Sequence, residues 1–348
     1  MDNPFVRREK TVAERHRAKV IKIIALFVIL IIVFIAGCCL GKYALSIGDI
    51  FKTFFGFGDS NSNTVIFEMR LPRLCLAILV GLCMGASGVI MQNLLHNDLA
   101  SPGTLGVSDG STLFVTVYMA FIATSKTNPI LMPMLALAGG ILSSLIIYGL
   151  GMRKGKPISP TKLIMTGVAI GAAYGAMGTF ITYALDETKL QSLQSWQAGE
   201  LWAASKEGAW LYILVLFVWF LFFGGGALYK SRTLNVINLG YDTATGLGIN
   251  TKKEFVLLSF LAVALSSGAV AFGGNFFFLG LIGPHIARRI VGTDAKYLIP
   301  TSGVVSGIMV MAANILVTDF DIFANIPTGI FVSIISVPYF IYLLLRQR

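Results

Sequence analysis

The stretch Val20 to Leu40, VIKIIALFVILIIVFIAGCCL, carries one charged residue, Lys22. A run this long and apolar meets the roughly 20 residues that an α-helix needs to cross a ~30 Å hydrocarbon core. It is too long for the apolar part of a cleavable signal peptide, and Lys42, not a small-residue cleavage site, follows Cys38 to Gly41. It is therefore expected to stay as a membrane anchor. Leu71 to Leu95, Leu211 to Leu228 and Gly329 to Leu345 read the same way. Of the 348 residues, 55% are hydrophobic and only 13% are charged, against about 25% charged in an ordinary soluble domain. The fold class expected is an all-α polytopic membrane protein.

Breaks at Gly, Pro and clustered charge divide the chain into about ten transmembrane spans. They lie near residues 20–41, 71–95, 108–124, 130–151 and 161–185, then 209–229, 253–271, 276–291, 298–318 and 328–345, with a polar, Trp-containing loop between the halves. An even number of spans puts both termini on one side. Of the 27 Lys and Arg, 20 fall in the N-terminal stretch through Lys22, the loop at 153–162, the segment 230–253, the stretch 288–296 and the C-terminus. The remainder, Lys42, Lys52, Arg70, Arg73, Lys126, Lys189 and Lys206, lie on the opposite side. The positive-inside rule then places both termini in the cytoplasm. Residues 1–19 form a basic cytoplasmic tail and residues 20–348 a single transmembrane domain. Ser108 to Thr124 and Phe255 to Ala271 look short for helices that cross alone. Such Gly- or Ser-flanked segments either line a pathway or are tilted among neighbours.

The net charge of +10 sits in short clusters between apolar runs, without the aromatic-interleaved basic face that binds nucleic acid. A charge at mid-membrane costs at least ~2.5–3.5 kcal/mol, so ion-coupled carriers and intramembrane enzymes usually display such residues in their spans. Every Asp and Glu here can be placed in a loop or at a span end, Asp109 being the nearest to an exception. No pair of His, Cys or acidic residues stands at metal-ligand spacing, and no Gly-rich phosphate loop is present. No catalytic residue, metal site or bound cofactor is therefore expected in this chain. Cys38, Cys39, Cys75 and Cys83 lie in apolar helices and read as packing residues. His96 and His285 adjoin turns, where capping of carbonyls or interface contact outweighs chelate binding or gating.

Three segments together resemble the FecCD-type permease family, the type II ABC importers of iron-siderophore complexes, haem and cobalamin. Arg70-Leu-Pro-Arg73 opens a small-residue helix, Gly81 to Gly88, which runs through Gln92-Asn-Leu-Leu-His-Asn97 into Leu99-Ala-Ser-Pro102-Gly103-Thr-Leu-Gly106-Val-Ser108. Asp98 stands where the family pattern has Pro. The second segment, FLGLIGPHIAR from Phe278 to Arg288, places Gly280, Pro284, His285 and Arg288 in a GxxGLxxPHxxR-like element, followed by Leu298-Ile-Pro300. The third, Ile326-Pro327-Thr-Gly329, is similar to the family's ELPxG, with Asn325 in place of Glu, and leads to Pro338 and the terminal helix. The likeness covers roughly residues 40–348.

The resemblance implies a ten-helix permease fold and a pair of permeases, either two copies or two related chains. It also implies two ATPase subunits inside, carrying the ATP and Mg, and a substrate-binding protein outside. A short coupling helix pair docking on the ATPase would lie within 231–251 and use Leu234, Asn235, Leu239, Gly240, Tyr241, Asp242, Leu247 and Gly248. The stretch is polar enough to leave the membrane yet keeps Leu234, Val236, Ile237, Leu239 and Leu247, which suits a partner groove. Tyr241 and Thr245 occupy the places of the family's usual acidic residue and Arg. Outside, Arg70 and Arg73 are implied to pair with acidic residues of the receptor, a task that suits bidentate Arg; interfacial snorkelling is the plainer reading. The family's additional external Arg is absent, Thr318-Asp319 standing there. Ser159 and Thr161 lie near the place where the family narrows its exit. Among cargoes, ferric siderophore is expected on family frequency, with cobalamin and haem as alternatives. A secondary carrier and a membrane enzyme both lack the intramembrane ionisable groups they normally require.

Overall fold

The computed structural model describes residues 12–348 except 42, 44, 124–129, 153–158, 207, 321, 322, 324, 325, 347 and 348. Among the described residues every regular element is helical: α1 (Val12–Cys39), α2 (Ile47–Phe54), α3 (Ser60–Asn63), α4 (Leu71–Leu95), α5 (Val107–Phe121), α6 (Leu131–Gly151), α7 (Pro160–Thr182), α8 (Glu187–Gln197), α9 (Ala209–Tyr229), α10 (Ser231–Ile237), α11 (Tyr241–Gly246), α12 (Thr251–Gly273), α13 (Leu279–Val291), α14 (Ala295–Asp319) and α15 (Thr328–Arg346). A π-helix, Thr64–Arg70, runs directly into α4, and short 3₁₀ turns cover Gly103–Leu105 and Trp202–Ser205. Start signals are local. Ser159, Asp186, Asn250 and Asp294 cap α7, α8, α12 and α14 by accepting backbone N–H groups with their side chains. Pro160 sits in the first turn of α7, where the missing N–H is harmless.

Each of the ten expected spans meets a helix, and seven described helices are long and apolar enough to cross a membrane, α4 being continuous with the turns from Ser60. Three expectations change. The span read as short at Phe255–Ala271 is the 23-residue α12, because its charged first turn, Thr251–Glu254, is helical as well. The span expected from residue 276 is α13, only 13 residues long; at 1.5 Å per residue it covers about 20 Å and cannot cross a ~30 Å core. The loop between the halves holds the amphipathic α8, which buries Leu193 and Trp196. At the other end of the chain, α1 starts at Val12, so helix continues through part of the basic tail. Lys42, Lys126, Arg153, Lys154, Lys156, Asn325 and Arg348 lie outside the described residues.

The helix α4 is the hub, with 21 of its residues buried, among them Gly81, Gly85 and Gly88. A Cβ on Gly81 would meet the backbone of Gly307, one on Gly85 would meet Ser302, and one on Gly88 would meet the carbonyl of Gly280. These glycines let α14 and α13 approach backbone to backbone, as small residues do where helices lack a hydrophobic drive to associate. The helices α12 and α9 close the other sides. Small polar side chains at the contacts bond to carbonyls across helices, Ser87 to Ala262 at 2.5 Å and Ser302 to Gly85 at 2.9 Å.

The two ends of the bundle differ. At one end, α10 and α11 lie beside the end of α4 and the start of α14, and Lys22 of α1 donates to the Ile290 carbonyl at 2.7 Å. At the other, α1 ends against Arg70, and α2 exposes Phe51 and Phe54, with Phe55 and Phe57 exposed beyond it.

Candidate functional site

The segment expected to couple to an ATPase forms a pair of short helices, α10 and α11. Leu234 and Ile237 are fully buried against the chain's own body, whereas Leu239 and Leu247 stand 67% and 65% exposed. The expectation that all five apolar residues face a partner is corrected: the periodicity of α10 turns two of them inward. Asn235 donates to Asp294 at 2.8 Å and accepts from the Ala295 N–H at 2.7 Å, fixing α10 to the start of α14. The Tyr241 hydroxyl donates to the Leu94 carbonyl. Burial pushes that hydroxyl above its ordinary value, so it stays protonated as a donor. His96 contacts the Ile237 carbonyl at 3.0 Å through a ring nitrogen and packs edge-on against Tyr241 at 5.1 Å. Thr245 bonds within α11, and Gly240, between the two helices, and Gly248, after the second, take positive φ. Asp242 is exposed.

The first and second motifs meet at this end. Gln92 donates to the Leu281 carbonyl at 3.2 Å and accepts from Arg288 at 3.2 Å. Asp98, the departure from the family pattern, forms an ion pair with Arg288. Pro102 packs on Gly280, its Cδ 3.2 Å from where a Cβ would stand, and Gly103 faces Phe277. Gly106 needs its left-handed φ of 73° to turn the chain into α5, and Leu105 lies against Gly167 of α7. His285 keeps a buried, unpartnered Nε2 and faces Tyr339 at 6.1 Å, and Pro284 lies within α13. Gly329, after Pro327, donates its N–H to the Gly199 carbonyl at 2.9 Å and starts α15 against the turn at Gly199. This reach of the motif residues into each other's elements is what spacing along the chain could not display.

The helix α7 is nearly bare. Only Leu163, Gly167 and Gly171 are buried, and Gly175 and Gly178 have no neighbour within 4 Å. Ser159 caps it, and Ser159 and Thr161 border an open groove of ≈ 590 Å³ shared with Leu150 and Met165. Asp109, the near exception among the acidic residues, lies in the first turn of α5 with its carboxylate against Gly171.

At the far end Arg70 and Arg73 line a cleft of ≈ 820 Å³ with Glu68, Lys206, Trp210 and Asp319. Arg70 donates to the carbonyls of Cys38 and Tyr43, each at 2.6 Å, and so caps the end of α1. Arg73 donates to Ser205 at 3.0 Å. Sequence reasoning gave these two residues one role; the structure gives Arg70 a local structural task that Arg73 lacks.

The fold is that of a multi-pass helical membrane protein with a sparsely buried flanking helix and a hydrogen-bonded helix pair at one end. The chain belongs to the FecCD transport family, which matches residues 29–346. It is 34% identical over 327 residues to the iron(3+)-hydroxamate import system permease protein FhuG of Bacillus subtilis (strain 168), covering 92% of this chain and 96% of that one. It is 32% identical over 331 residues to the iron-uptake system permease protein FeuC of the same organism, covering 93% and 97%. Among solved structures, a metal-chelate type ABC transporter in an inward-facing conformation matches with a TM-score of 0.81 at 26% identity, covering 93% of this chain and 98% of that chain.

Proposed function

We propose that this chain is the permease of an ATP-driven importer that moves a ferric siderophore into the cytoplasm of a bacterial cell by alternating access. The observation that carries the reading is the helix pair α10–α11, hydrogen-bonded into α4 and α14 while holding Leu239 and Leu247 outward. Apolar residues displayed on an element outside the span fit a partner groove, and two ATPase subunits, binding ATP and Mg, are the partners such a permease needs. Both termini and the helix pair then lie in the cytoplasm, by the distribution of Lys and Arg. The bare faces of α7 and α15 seat a second permease, and lipid covers the rest. Ser159 and Thr161 sit where cargo leaves between the two subunits. A substrate-binding protein docks over the external cleft; Arg73, which among the described residues donates to Ser205, pairs with a receptor carboxylate, and Arg70 positions the end of α1 beside it. The iron-hydroxamate and iron-uptake relatives support the choice of cargo.

The test is ATP hydrolysis in proteoliposomes holding the permease, its ATPase and its receptor, with ferric hydroxamate added. Stimulation by receptor and chelate is expected in the wild type and is expected to fall in Arg73→Glu while basal hydrolysis persists. Stimulation by haem or cobalamin in place of the ferric chelate would reassign the cargo, and no stimulation by any chelate would overturn the reading.

A further inference from the structure

The segment Asn97–Gly106 is a strap lying along α13. It begins where α4 ends at His96, whose φ of 46° is left-handed, and where His96 and Leu94 hold the coupling helices. It is pinned to α13 twice: Asp98 to Arg288 near the last turn, and Pro102 on Gly280 near the first. It ends at Leu105 and Gly106, whose backbone meets Gly167, one of three buried residues of α7. The strap is thus interposed between the element that would receive force from an ATPase and a helix, α7, that buries only three of its residues.

Of the two pins, Pro102 on Gly280 is apolar contact, while the other is charge. The Asp98 side chain is 48% exposed and Arg288 only 18%. The Nε of Arg288 is buried and unpartnered, and its remaining side-chain partner is the neutral Gln92. Loss of Asp98 would leave a mostly buried guanidinium without a carboxylate. A proline at this position, as in the family pattern, would stiffen the strap through its fixed φ. This chain stiffens it through an ion pair that water can reach and salt can screen.

We propose that Asp98 and Arg288 form an ionic latch that fastens the strap to α13 and thereby sets the position of α7 against the body of the permease. Asp98 acts here as a positioning residue and touches no cargo. The inference rests on α7 being the moving wall of the pathway, which belongs to the importer reading, so its test avoids cargo altogether. Nitroxide labels are placed on Met165 of α7 and Arg289 of α13, in the lipid-embedded complex with the partner ATPase and with the four native cysteines replaced. Asp98→Asn is expected to broaden or shift the label-to-label distance by about 2 Å or more, the size of a freed helix shift. Asp98→Glu and Asp98→Pro are expected to keep the wild-type distribution. Salt near 1 M, where screening lengths fall to about 3 Å, is expected to broaden the wild type and leave Asp98→Pro unchanged. A wild-type distribution in Asp98→Asn, or a wild-type protein whose distances do not respond to salt near 1 M, would overturn the latch. A failure of chelate stimulation with the distances behaving as stated would count against the choice of cargo alone.

Discussion

The helices α4 and α7 carry the same kind of sequence and meet opposite fates. Gly81, Gly85 and Gly88 punctuate one, and Gly167, Gly171, Gly175 and Gly178 the other. In α4 every one of these glycines touches a neighbouring helix through backbone or a small side chain. In α7 the first two touch the strap and α5, and the last two touch nothing. Small-residue spacing therefore says that backbones can approach, and not that they do within one chain. The open half of α7 is where the proposed second permease would sit.

The comparison breaks most visibly in α4. Gly88→Leu would drive a side chain into the Gly280 carbonyl, and the loss should reach about 4 kcal/mol or more, seen as failure to recover folded protein in lipid. Gly167→Leu pushes against the Leu105 backbone. Overpacking of this kind costs about 1–3 kcal/mol, so the variant should fold with a lowered unfolding temperature and lose chelate uptake. Tyr241→Phe removes one hydrogen bond and orphans the Leu94 carbonyl; about 1 kcal/mol should appear as weaker retention of the ATPase on the purified permease. The smallest effect is the most instructive. Gly175→Ala meets open space and should leave unfolding unchanged or raise it by about 0.5–1 kcal/mol, as removal of a helical glycine does. A fall in uptake at unchanged stability would place that face against a partner or the cargo, and a fall in stability would contradict its being bare.

Much of this was legible in the sequence. The long apolar runs locate the helices, because crossing a bilayer constrains length and composition strongly. The motif residues lie on the strap and α13, and the stretch 231–251 that the resemblance marks holds the helix pair α10–α11. What stayed hidden depends on register in three dimensions. Leu234 and Ile237, three apart on α10, face inward, and Leu239 lies outward beyond the helix end. The short α13 read as a full span because Phe276 to Phe278 are as apolar as a helix yet are not helical. Asp98, which stands where the family pattern has Pro, acquires meaning only when Arg288, distant in the chain, is brought beside it. The signal available in the sequence was a carboxylate at a position where the family pattern is uncharged.

The central claim is tested most directly by uptake of radio-iron as ferric hydroxamate into proteoliposomes that contain permease, ATPase and receptor, with ATP trapped on the ATPase side. The account predicts accumulation that requires ATP and is abolished by Leu239→Asp with Leu247→Asp, while the folded permease is recovered in normal yield. Accumulation by the permease alone under an ion gradient, or undiminished uptake in that double variant, would contradict it.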